Sequence, residues 1–583
     1  MYPAFLNAIG INNIHPGMIM MLFGILIWIL PAKFRKPLSL IAPMAAGVGF
    51  FLLNENSTFA YRVTKKLTIE LIHVDRLAMA FMLVFVLIAM IAAVYSMEVQ
   101  DKSESGMSAF YAGSMMGVVL AGDSISLIFF WEISAFASAY LIYARHCRKS
   151  SRAAFRYLLM HSFGGNMLLV GIIIHVAKFG TTLTNISGQH GISFWLILIG
   201  VAVNVAIPPL NGWLPDAYPE ATIAGTLYMG SFTTKAAVYA LIRLFAGTDM
   251  LIWVGAFMAV YAACMAILEN DMRRLLSYHI ISQLGMMVAA LALGTEIGVD
   301  GASAHATTNI LFKGVLLMGA GAVLYATGKS KITELGGLAK KMPITSICFL
   351  IASLAIAGLP FSSGFASKAL VTESLIARGY IVPYLLVTAA GVGTLLSITL
   401  KINYFVFFGK SDADVTVSKI PLTMKVAMIF GTLATLVIGF FPKLLYRFTI
   451  NATMVNPFTI NHILEYVAIF VGGTIPFLIY IRRMKPHDEI SIDFDWLYRR
   501  PLNKLVQSLS ASLNTFMNKC DSIALHGMRY LGSHLGDPYL WTRRSHEIRI
   551  RSMSFENEDR LIGDVIQVVI SVTAIIMIVV MAV

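Results

Sequence analysis

The stretch LAMAFMLVFVLIAMIAAVY at Leu77–Tyr95 contains no Asp, Glu, Lys or Arg. An α-helix rises about 1.5 Å per residue, so an apolar run of about twenty residues crosses the hydrocarbon layer of a bilayer. Further apolar runs occur at Phe194–Ile207 and Val565–Val583. These runs predict membrane-spanning helices.

The composition of the whole chain extends this prediction. Of its 583 residues, 57% are hydrophobic and 13% are charged, whereas soluble globular proteins have about 25% charged residues. Counting the apolar runs predicts an all-α polytopic membrane protein with about 14–16 transmembrane helices. A water-soluble fold is excluded, because its core would not hold so much apolar surface.

Basic residues collect in alternate short loops between the apolar runs, and these loops all fall on one side of the membrane when the predicted helices are counted in order. Such a bias marks the cytoplasmic side, so the net charge of +13 is a topology signal and not evidence of a nucleic-acid partner. The pattern predicts a multi-pass protein of a bacterial plasma (cell inner) membrane with both termini outside the cytoplasm. The first apolar run is predicted to be a retained helix, not a signal peptide. The basic loops contain Lys33, Arg35, Lys36, Arg145, Arg148, Lys149, Arg152, Arg273, Arg274, Lys329, Lys331, Lys340, Lys341, Arg482, Arg483 and Lys485.

Two apolar segments contain helix-breaking prolines, at Pro208-Pro209 and at Pro360. Interrupted spans at matching positions in two halves of a transporter point to an inverted repeat with an ion site at the breaks. The sequence therefore predicts two inverted five-helix repeats, each with one broken helix. The alternative is that each proline only kinks its helix.

The predicted segments follow one another along the chain. A long polar interval separates the last two apolar runs, and Leu505, Leu509 and Leu513 recur there at helical spacing. This pattern predicts an amphipathic helix on a membrane surface or a partner protein of the complex, although Gly527 argues against one uninterrupted helix; the alternative is a cytoplasmic loop with some helix. The segments are 1–106 (N-terminal transmembrane helices), 107–246 (first repeat), 251–409 (second repeat), 410–482 (additional transmembrane helices), 483–564 (cytoplasmic or amphipathic connection) and 565–583 (C-terminal transmembrane helix).

Ionisable residues inside apolar runs are functional candidates, because charge at bilayer depth costs several kcal/mol. The candidates are Glu132, Lys235, His305, Lys313 and Lys368. A series of such groups with broken helices nearby would pass protons across the membrane. The alternatives are lysines whose charged ends reach the interface and, for Glu132, a structural ion pair or a protonated, hydrogen-bonded carboxyl.

Cofactor chemistry has no support in the sequence. The four cysteines, Cys147, Cys264, Cys348 and Cys520, show no spacing typical of a disulfide framework, a metal site or an iron–sulfur cluster. No nucleophile–base set, phosphate loop or cofactor fingerprint appears. We therefore predict no cofactor, no metal and no enzyme acting on a small molecule.

Several motifs between about residues 75 and 410 resemble the antiporter-like membrane subunits shared by Mrp-type sodium/proton antiporters, respiratory complex I and membrane-bound hydrogenases. Within this family the chain looks most like the D-type subunit of the Mrp-type antiporters. The motifs are DSISLIFFWEI (Asp123–Ile133), WLPDAY (Trp213–Tyr218), KAAVYALIR (Lys235–Arg243), NDMRRLLSYHIISQLG (Asn270–Gly285), HATTNILFK (His305–Lys313) and the segment Leu335–Lys368.

The resemblance implies a role for each candidate. Glu132 corresponds to the essential membrane glutamate of the family and Lys235 to the central lysine of the first half. His305 and Lys313 correspond to the connecting relay, and Lys368 to the terminal lysine at the second broken helix. A fourteen-helix core and partner subunits in a larger membrane complex are also implied.

Three positions depart from the family pattern. Asn204 stands where the family usually has a lysine paired with the glutamate, and Asn211 and Asn309 stand where it usually has histidines. Without that lysine, Glu132 is protonated more of the time, binds a cation or pairs with Lys235.

The sequence leaves three functions open. The first is an ion-translocating subunit of a multi-subunit antiporter that exchanges Na⁺ or K⁺ for H⁺. The second is a proton-pumping subunit of a redox-driven complex. The third is a scaffold subunit without transport, an interpretation compatible with Asn204.

Overall fold

The computed structural model describes residues 15–64, 68–409, 415–453, 455–481, 493–494, 496, 500–501 and 503–535. Residues up to Asp495 form one compact unit, and residues from Trp496 onward form a second. The helices of the first unit are α1 (Pro16–Ile29), α2 (Arg35–Phe51), α3 (Arg76–Ser96), α4 (Lys102–Leu120), α5 (Ser124–Tyr143), α6 (Arg148–Phe179), α7 (Ile192–Val205), α8 (Trp213–Ala217), α9 (Ile223–Phe245), α10 (Met250–Leu268), α11 (Met272–Leu291), α12 (Glu296–Thr327), α13 (Leu338–Lys341), α14 (Pro343–Ala357), α15 (Ser363–Ala377), α16 (Ile381–Thr394), a π-helix (Leu395–Phe408), α17 (Leu422–Phe440), α18 (Pro442–Tyr446) and α19 (Ile460–Tyr480).

Many of these helices have the length and composition of membrane spans. Among the described residues, eight helical segments are long and apolar enough to cross a membrane, and three shorter apolar helices accompany them. The chain is therefore a mostly helical, multi-pass membrane protein. The count of about 14–16 spans stays a prediction, and the expected last span, 565–583, lies outside the described residues.

A small hairpin corrects the all-α expectation. Strands β1 (Thr58–Arg62) and β2 (Thr68–His73) pair antiparallel in the connection between α2 and α3. Both strands are rich in β-branched and aromatic residues, which favour extended pairing. The backbone N–H of Glu70 in β2 donates to the Asp123 carboxylate, and the N–H of Gly122 donates to the carbonyl of Glu70 at 3.0 Å.

Aspartates fix the starts of several helices. Asp75, Asp123 and Asp271 each precede a helix and accept hydrogen bonds from the first-turn N–H groups of Ala78, Ser126 and Arg273 at 2.7–2.8 Å. Such a cap satisfies an N–H group that has no partner within the helix. Two of these aspartates lie in the motifs of the resemblance, so those motifs also set helix boundaries.

Both interrupted spans are present. The first break separates α7 from α9 and contains Pro208-Pro209 and the short α8. The second separates α14 from α15 at 358–362 and contains Pro360. Each of the two segments, 107–246 and 251–409, thus contains one break. The inverted relation of the two halves stays a prediction.

Helices α10 and α11 approach each other closely through glycine. A Cβ atom added at Gly255 would lie 2.6 Å from the carbonyl oxygen of Gly285, and one at Gly285 would lie 2.5 Å from that of Gly255. Small residues allow this approach in membrane helices, where dispersion contacts stabilise packing. The close packing brings the α11 side chains into the interior of the unit.

The second unit contains helix α20 (Asn503–Leu535). Leu505, Leu509 and Leu513 lie at four-residue intervals on one face, and their side chains are exposed. The helix continues through Gly527, and the prediction that 483–564 is not one uninterrupted helix extends to residues outside the described ones. Its contact with a membrane surface or a partner stays a prediction.

Candidate functional site

Glu132 lies in the middle of α5 and packs against α6. A Cβ atom added at Gly165 of α6 would overlap the Oε1 atom of Glu132. Among the described residues, Glu132 has no hydrogen-bond or ion-pair partner. The close approach of Gly165, and not an opposite charge, therefore positions the Glu132 carboxylate.

Lys235 is fully buried in α9, where its Nζ atom donates to the carbonyl oxygen of Gly230 at 2.8 Å. This contact lies within one helix, so the ammonium does not reach a membrane interface. The alternative of a direct pair with Glu132 does not appear in the structure. Lys235 is instead within electrostatic range of Lys313 and His305 on α12.

Helix α12 places His305, Asn309 and Lys313 at four-residue intervals, so they lie along one face about a turn apart. All three are at most 1% exposed. Within the part of the chain that the structure describes, the Nζ atom of Lys313 and both polar side-chain atoms of Asn309 have no hydrogen-bond partner. Buried polar groups of this kind are uncommon in native proteins and point to function or to internal water.

His305 is held between helices α11 and α15. Its Nε2 atom lies 3.1 Å from Oε1 of Gln283, and its Nδ1 atom lies 2.9 Å from Oγ of Ser367. Thr308 donates to the same Ser367 hydroxyl at 2.9 Å. These contacts link three helices through one imidazole.

The partners of His305 suit both charge states of the ring. An amide oxygen only accepts, so with this orientation of Gln283 the Nε2 atom carries a proton. The Ser367 hydroxyl either donates to an unprotonated Nδ1 or accepts from a protonated one. Rotation of one hydroxyl therefore accommodates proton gain and loss at His305 without breaking a contact.

Lys368 lies in α15, just beyond the second break, and is 4% exposed. Its Nζ atom donates to the carbonyl oxygen of Ile356, in the last turn of α14, at 2.6 Å. Carbonyl groups at the end of a helix lack partners within the helix and carry partial negative charge. Lys368 thus joins the two halves of the broken helix.

The first break is held by a different cation. Arg273 of α11 is 2% exposed and donates to the carbonyl oxygens of Pro219, Tyr218 and Ala221 at 2.7–3.0 Å. These carbonyls lie between α8 and α9. A buried guanidinium with several fixed donors suits such a cluster of acceptors.

Two of the asparagines at departing positions lie near the first break. Asn204, at the end of α7, is 2% exposed, and its amide oxygen has no hydrogen-bond partner within the described ranges. Asn211 is fully buried, and its Nδ2 atom lies 3.5 Å from the hydroxyl of Tyr261. Tyr261 in turn donates to the carboxylate of Asp493. Neither asparagine supplies a charge to Glu132.

Further buried polar residues were not singled out from the sequence. His279 on α11 lies 2.6 Å from the Ser397 hydroxyl, and Lys401 donates to the carbonyls of Ile267 and Glu269 at 2.7 and 2.8 Å. Ser397 and Lys401 belong to the π-helix, a conformation that often marks functional sites. The sequence signal that could have identified them is the four-residue spacing of His279 and Gln283, which places two polar side chains on one face of an apolar helix.

No group of three or more His, Cys, Asp or Glu side chains that would hold a metal ion occurs among the described residues. The site consists of buried ammonium, imidazole, amide and hydroxyl groups along α9, α12 and α15. Such groups hold and move protons.

Residues 121–397 match the family model described as "NADH:quinone oxidoreductase/Mrp antiporter, TM". Over this segment the chain is similar to the family shared by Mrp antiporter subunits, complex I subunits and membrane-bound hydrogenase-like complexes. The resemblance predicted from the motifs is therefore confirmed. The matched segment contains Glu132, Lys235, His305, Lys313 and Lys368.

Two curated relatives show this similarity. The A/B-type subunit of a probable K⁺/H⁺ antiporter from Rhizobium meliloti is 32% identical over 386 residues, which are 61% of this chain and 38% of that protein. The N-type subunit of the NADH-quinone oxidoreductase of Desulforudis audaxviator is 31% identical over 328 residues, which are 52% of this chain and 65% of that protein. The chain thus spans less than two thirds of the length of either relative.

Two solved structures share the fold. A chain of the Mrp complex from Dietzia superposes with a TM-score of 0.67 at 20% identity, covering 82% of this chain and 99% of that one. A chain of the archaeal membrane-bound sulfane sulfur reductase superposes with a TM-score of 0.69 at 22% identity, covering 90% and 97%. Both matches are subunits of multi-subunit membrane complexes.

Proposed function

We propose that this chain is the ion-translocating subunit of a multi-subunit antiporter in the bacterial plasma membrane, and that the complex exchanges Na⁺ or K⁺ for H⁺. Among the components of such antiporters, the D-type subunit is the one it resembles most. One observation carries the proposal. Lys235, Lys313 and Lys368 are each at most 4% exposed, and none forms an ion pair with an Asp or Glu among the described residues.

Buried lysines without counter-charges are costly, because removal from water disfavours the ammonium form. A structural lysine would be expected to have a carboxylate partner or to reach an interface. These three lysines have neither, and His305 lies within electrostatic range of Lys235 and Lys368. The arrangement suits groups that gain and lose protons in turn.

The proposed route runs from Lys235 to Lys313, along the α12 face through Asn309 to His305, and through Ser367 to Lys368. The Ser367 hydroxyl contacts His305, and Lys368 lies within electrostatic range of the same imidazole. The unpartnered atoms of Asn309 and Lys313 suit internal water, which would complete the route where the family usually has a second histidine.

Glu132 has a separate role in this proposal. With Asn204 in place of the usual lysine, the carboxylate has no fixed cation, so an entering Na⁺, K⁺ or proton can neutralise it. The charge on Glu132 would then set the free energy of protonating Lys235. Loss of Glu132 should therefore abolish coupled exchange.

The test is cation-dependent collapse of a pH gradient in inverted membrane vesicles that contain the whole complex. Wild type is compared with Lys235→Ala and Glu132→Ala at equal amounts of the chain, with Lys36→Ala, an exposed residue paired with Glu98, as the control. Collapse driven by Na⁺ or K⁺ in wild type and the control, but absent in both variants, supports the proposal. If both variants transport normally in an assembled complex, the chain is a scaffold subunit.

A second candidate is a proton-pumping subunit of a redox-driven complex. This candidate is favoured by the superposition of the chain on one component of an archaeal respiratory membrane complex, which covers 90% of this chain. In that case no cation collapses the gradient, and an added electron donor builds one. The same vesicles separate the two candidates.

A further inference from the structure

Helix α19 lies outside the segment matched by the family model, yet it packs directly on the second break. A Cβ atom added at Gly358 would lie 2.5 Å from the ring of Tyr466 and 3.5 Å from Cδ of Lys368. The Tyr466 ring also contacts that of Phe365, with centroids 5.1 Å apart. Residues near Tyr466 are therefore beside the terminal lysine of the proposed route.

Glu465, the neighbour of Tyr466, faces the same space as Lys368. A cavity of about 10 Å³ is lined by both side chains, together with Thr372 and Tyr466. That volume is near the size needed for one water molecule. The hydroxyl of Tyr384 donates to Oε1 of Glu465 at 2.8 Å, which fixes the carboxylate at the cavity.

A second acid–base pair lies nearer the surface along the same two helices. The Nε2 atom of His462 lies 3.3 Å from Oε2 of Glu373, whose side chain is 41% exposed. Residues 462, 465 and 466 of α19 lie next to residues 373, 368 and 365 of α15, respectively, so the two helices are antiparallel. The groups therefore lead from Lys368 toward the end of α15 and the start of α19.

We propose that Glu465 accepts the proton of Lys368 through water in this cavity and passes it toward Glu373 and His462 at the protein surface. In the transfer, an N–H bond of the Lys368 ammonium breaks and an O–H bond forms on the Glu465 carboxylate. Both side chains become neutral, so the transfer replaces an ammonium and a carboxylate by two uncharged groups and leaves the net charge of the pair unchanged. Under the topology predicted from the basic loops, this end of α15 faces outside the cytoplasm.

This inference rests on the proposed function, and its test uses the same vesicles with the whole complex. Glu465→Gln keeps the size of the side chain but removes its ability to exchange a proton. Transport should fall by about a hundredfold or more, whereas Glu465→Asp should restore at least part of it. Tyr384→Phe should displace the pH profile of transport, because it removes the donor that fixes the carboxylate. The matched control is Glu98→Gln, at an exposed glutamate paired with Lys36.

The outcomes separate the two proposals. Wild-type rates in Glu465→Gln, in vesicles where Lys235→Ala abolishes transport, would overturn the role of Glu465 and leave the proposed function standing. Equal loss in the Gln and Asp variants at normal abundance would also overturn it, since it would indicate a structural requirement. Absence of cation-driven transport in wild type would reject the proposed function, and this inference with it.

Discussion

The Nζ atom of Lys368 lies 2.6 Å from the carbonyl oxygen of Ile356, across the break between α14 and α15. One cation thus both completes the end of one half-helix and supplies the last lysine of the proposed proton route. When Lys368 loses its proton, the Ile356 carbonyl exchanges a charged donor for a neutral one. The charge on Lys368 is therefore coupled to the contact between the two half-helices.

Replacement of Lys368 should remove both its contact with the Ile356 carbonyl and its proton-exchanging group. We expect Lys368→Met to lower transport by about a hundredfold or more, because the proposed route loses the group that passes protons from His305 to Glu465. The measurement is the initial rate of cation-driven gradient collapse in vesicles. Lys36→Met, at an exposed residue, serves as the control, and normal rates in both variants would contradict the role of Lys368.

The glycine surface behind Glu132 gives a second prediction. In Gly165→Ala the new methyl group would overlap the carboxylate, so Glu132 must move, and transport should fall by about tenfold or more. Gly472→Ala is the matched control, because a Cβ there meets no atom within 4 Å and alanine favours a helix. Equal transport by the two variants would show that the position of Glu132 does not matter.

The Ser367 hydroxyl, which links α15 to His305, gives a third prediction. Ser367→Ala leaves Nδ1 of His305 without its partner, and we expect about a tenfold lower transport rate, with Ser367→Thr recovering part of it. Ser374 on the same helix is also buried, but its hydroxyl bonds only the Val371 carbonyl of its own helix, at 2.8 Å. Ser374→Ala should therefore transport normally; a similar loss there would mean that any buried hydroxyl change on α15 is harmful.

The buried arginine at the first break should matter for stability. Arg273→Met removes the one donor shared by the carbonyls of Tyr218, Pro219 and Ala221 and leaves the Ala221 carbonyl without a side-chain donor, so the free energy of unfolding should fall by about 2–5 kcal/mol. Thermal unfolding of the detergent-purified complex measures the change. The exposed Arg152 on α6 supplies the control, and an Arg273 variant as stable as Arg152→Met would refute this assignment.

Much of the fold could be predicted from the sequence, because bilayer thickness and backbone hydrogen bonding limit spanning segments to long apolar helices. Both breaks could be located from Pro208 and Pro360, because a proline lacks the backbone N–H group that a continuous helix needs. The hairpin at 58–73 was missed because it is too short and too polar for hydropathy to distinguish it from a loop. Helix α20 continues through Gly527, since one glycine lowers helix stability by only about 1 kcal/mol.

The candidate site was predictable only in part. Charged residues in apolar runs are visible in the sequence, so all five candidates could be named. Their hydrogen-bond partners could not be predicted, because Gln283 and Ser367, which contact His305, lie 22 and 62 residues away from it in the sequence. Uncharged polar residues in a membrane helix give a weak signal, and only the packing of three helices shows which of them share a contact.

The hairpin between α2 and α3 holds the start of the helix that carries Glu132. β2 is tied by hydrogen bonds to Gly122 and to Asp123, the residue that caps α5. Glu132 follows nine residues later, a distance of roughly 13 Å along the helix axis, which is close to half of a typical hydrocarbon thickness of about 30 Å. Two short strands thus anchor the start of the helix that carries Glu132, so we expect that loss of these two hydrogen bonds would displace the carboxylate relative to Gly165 of α6.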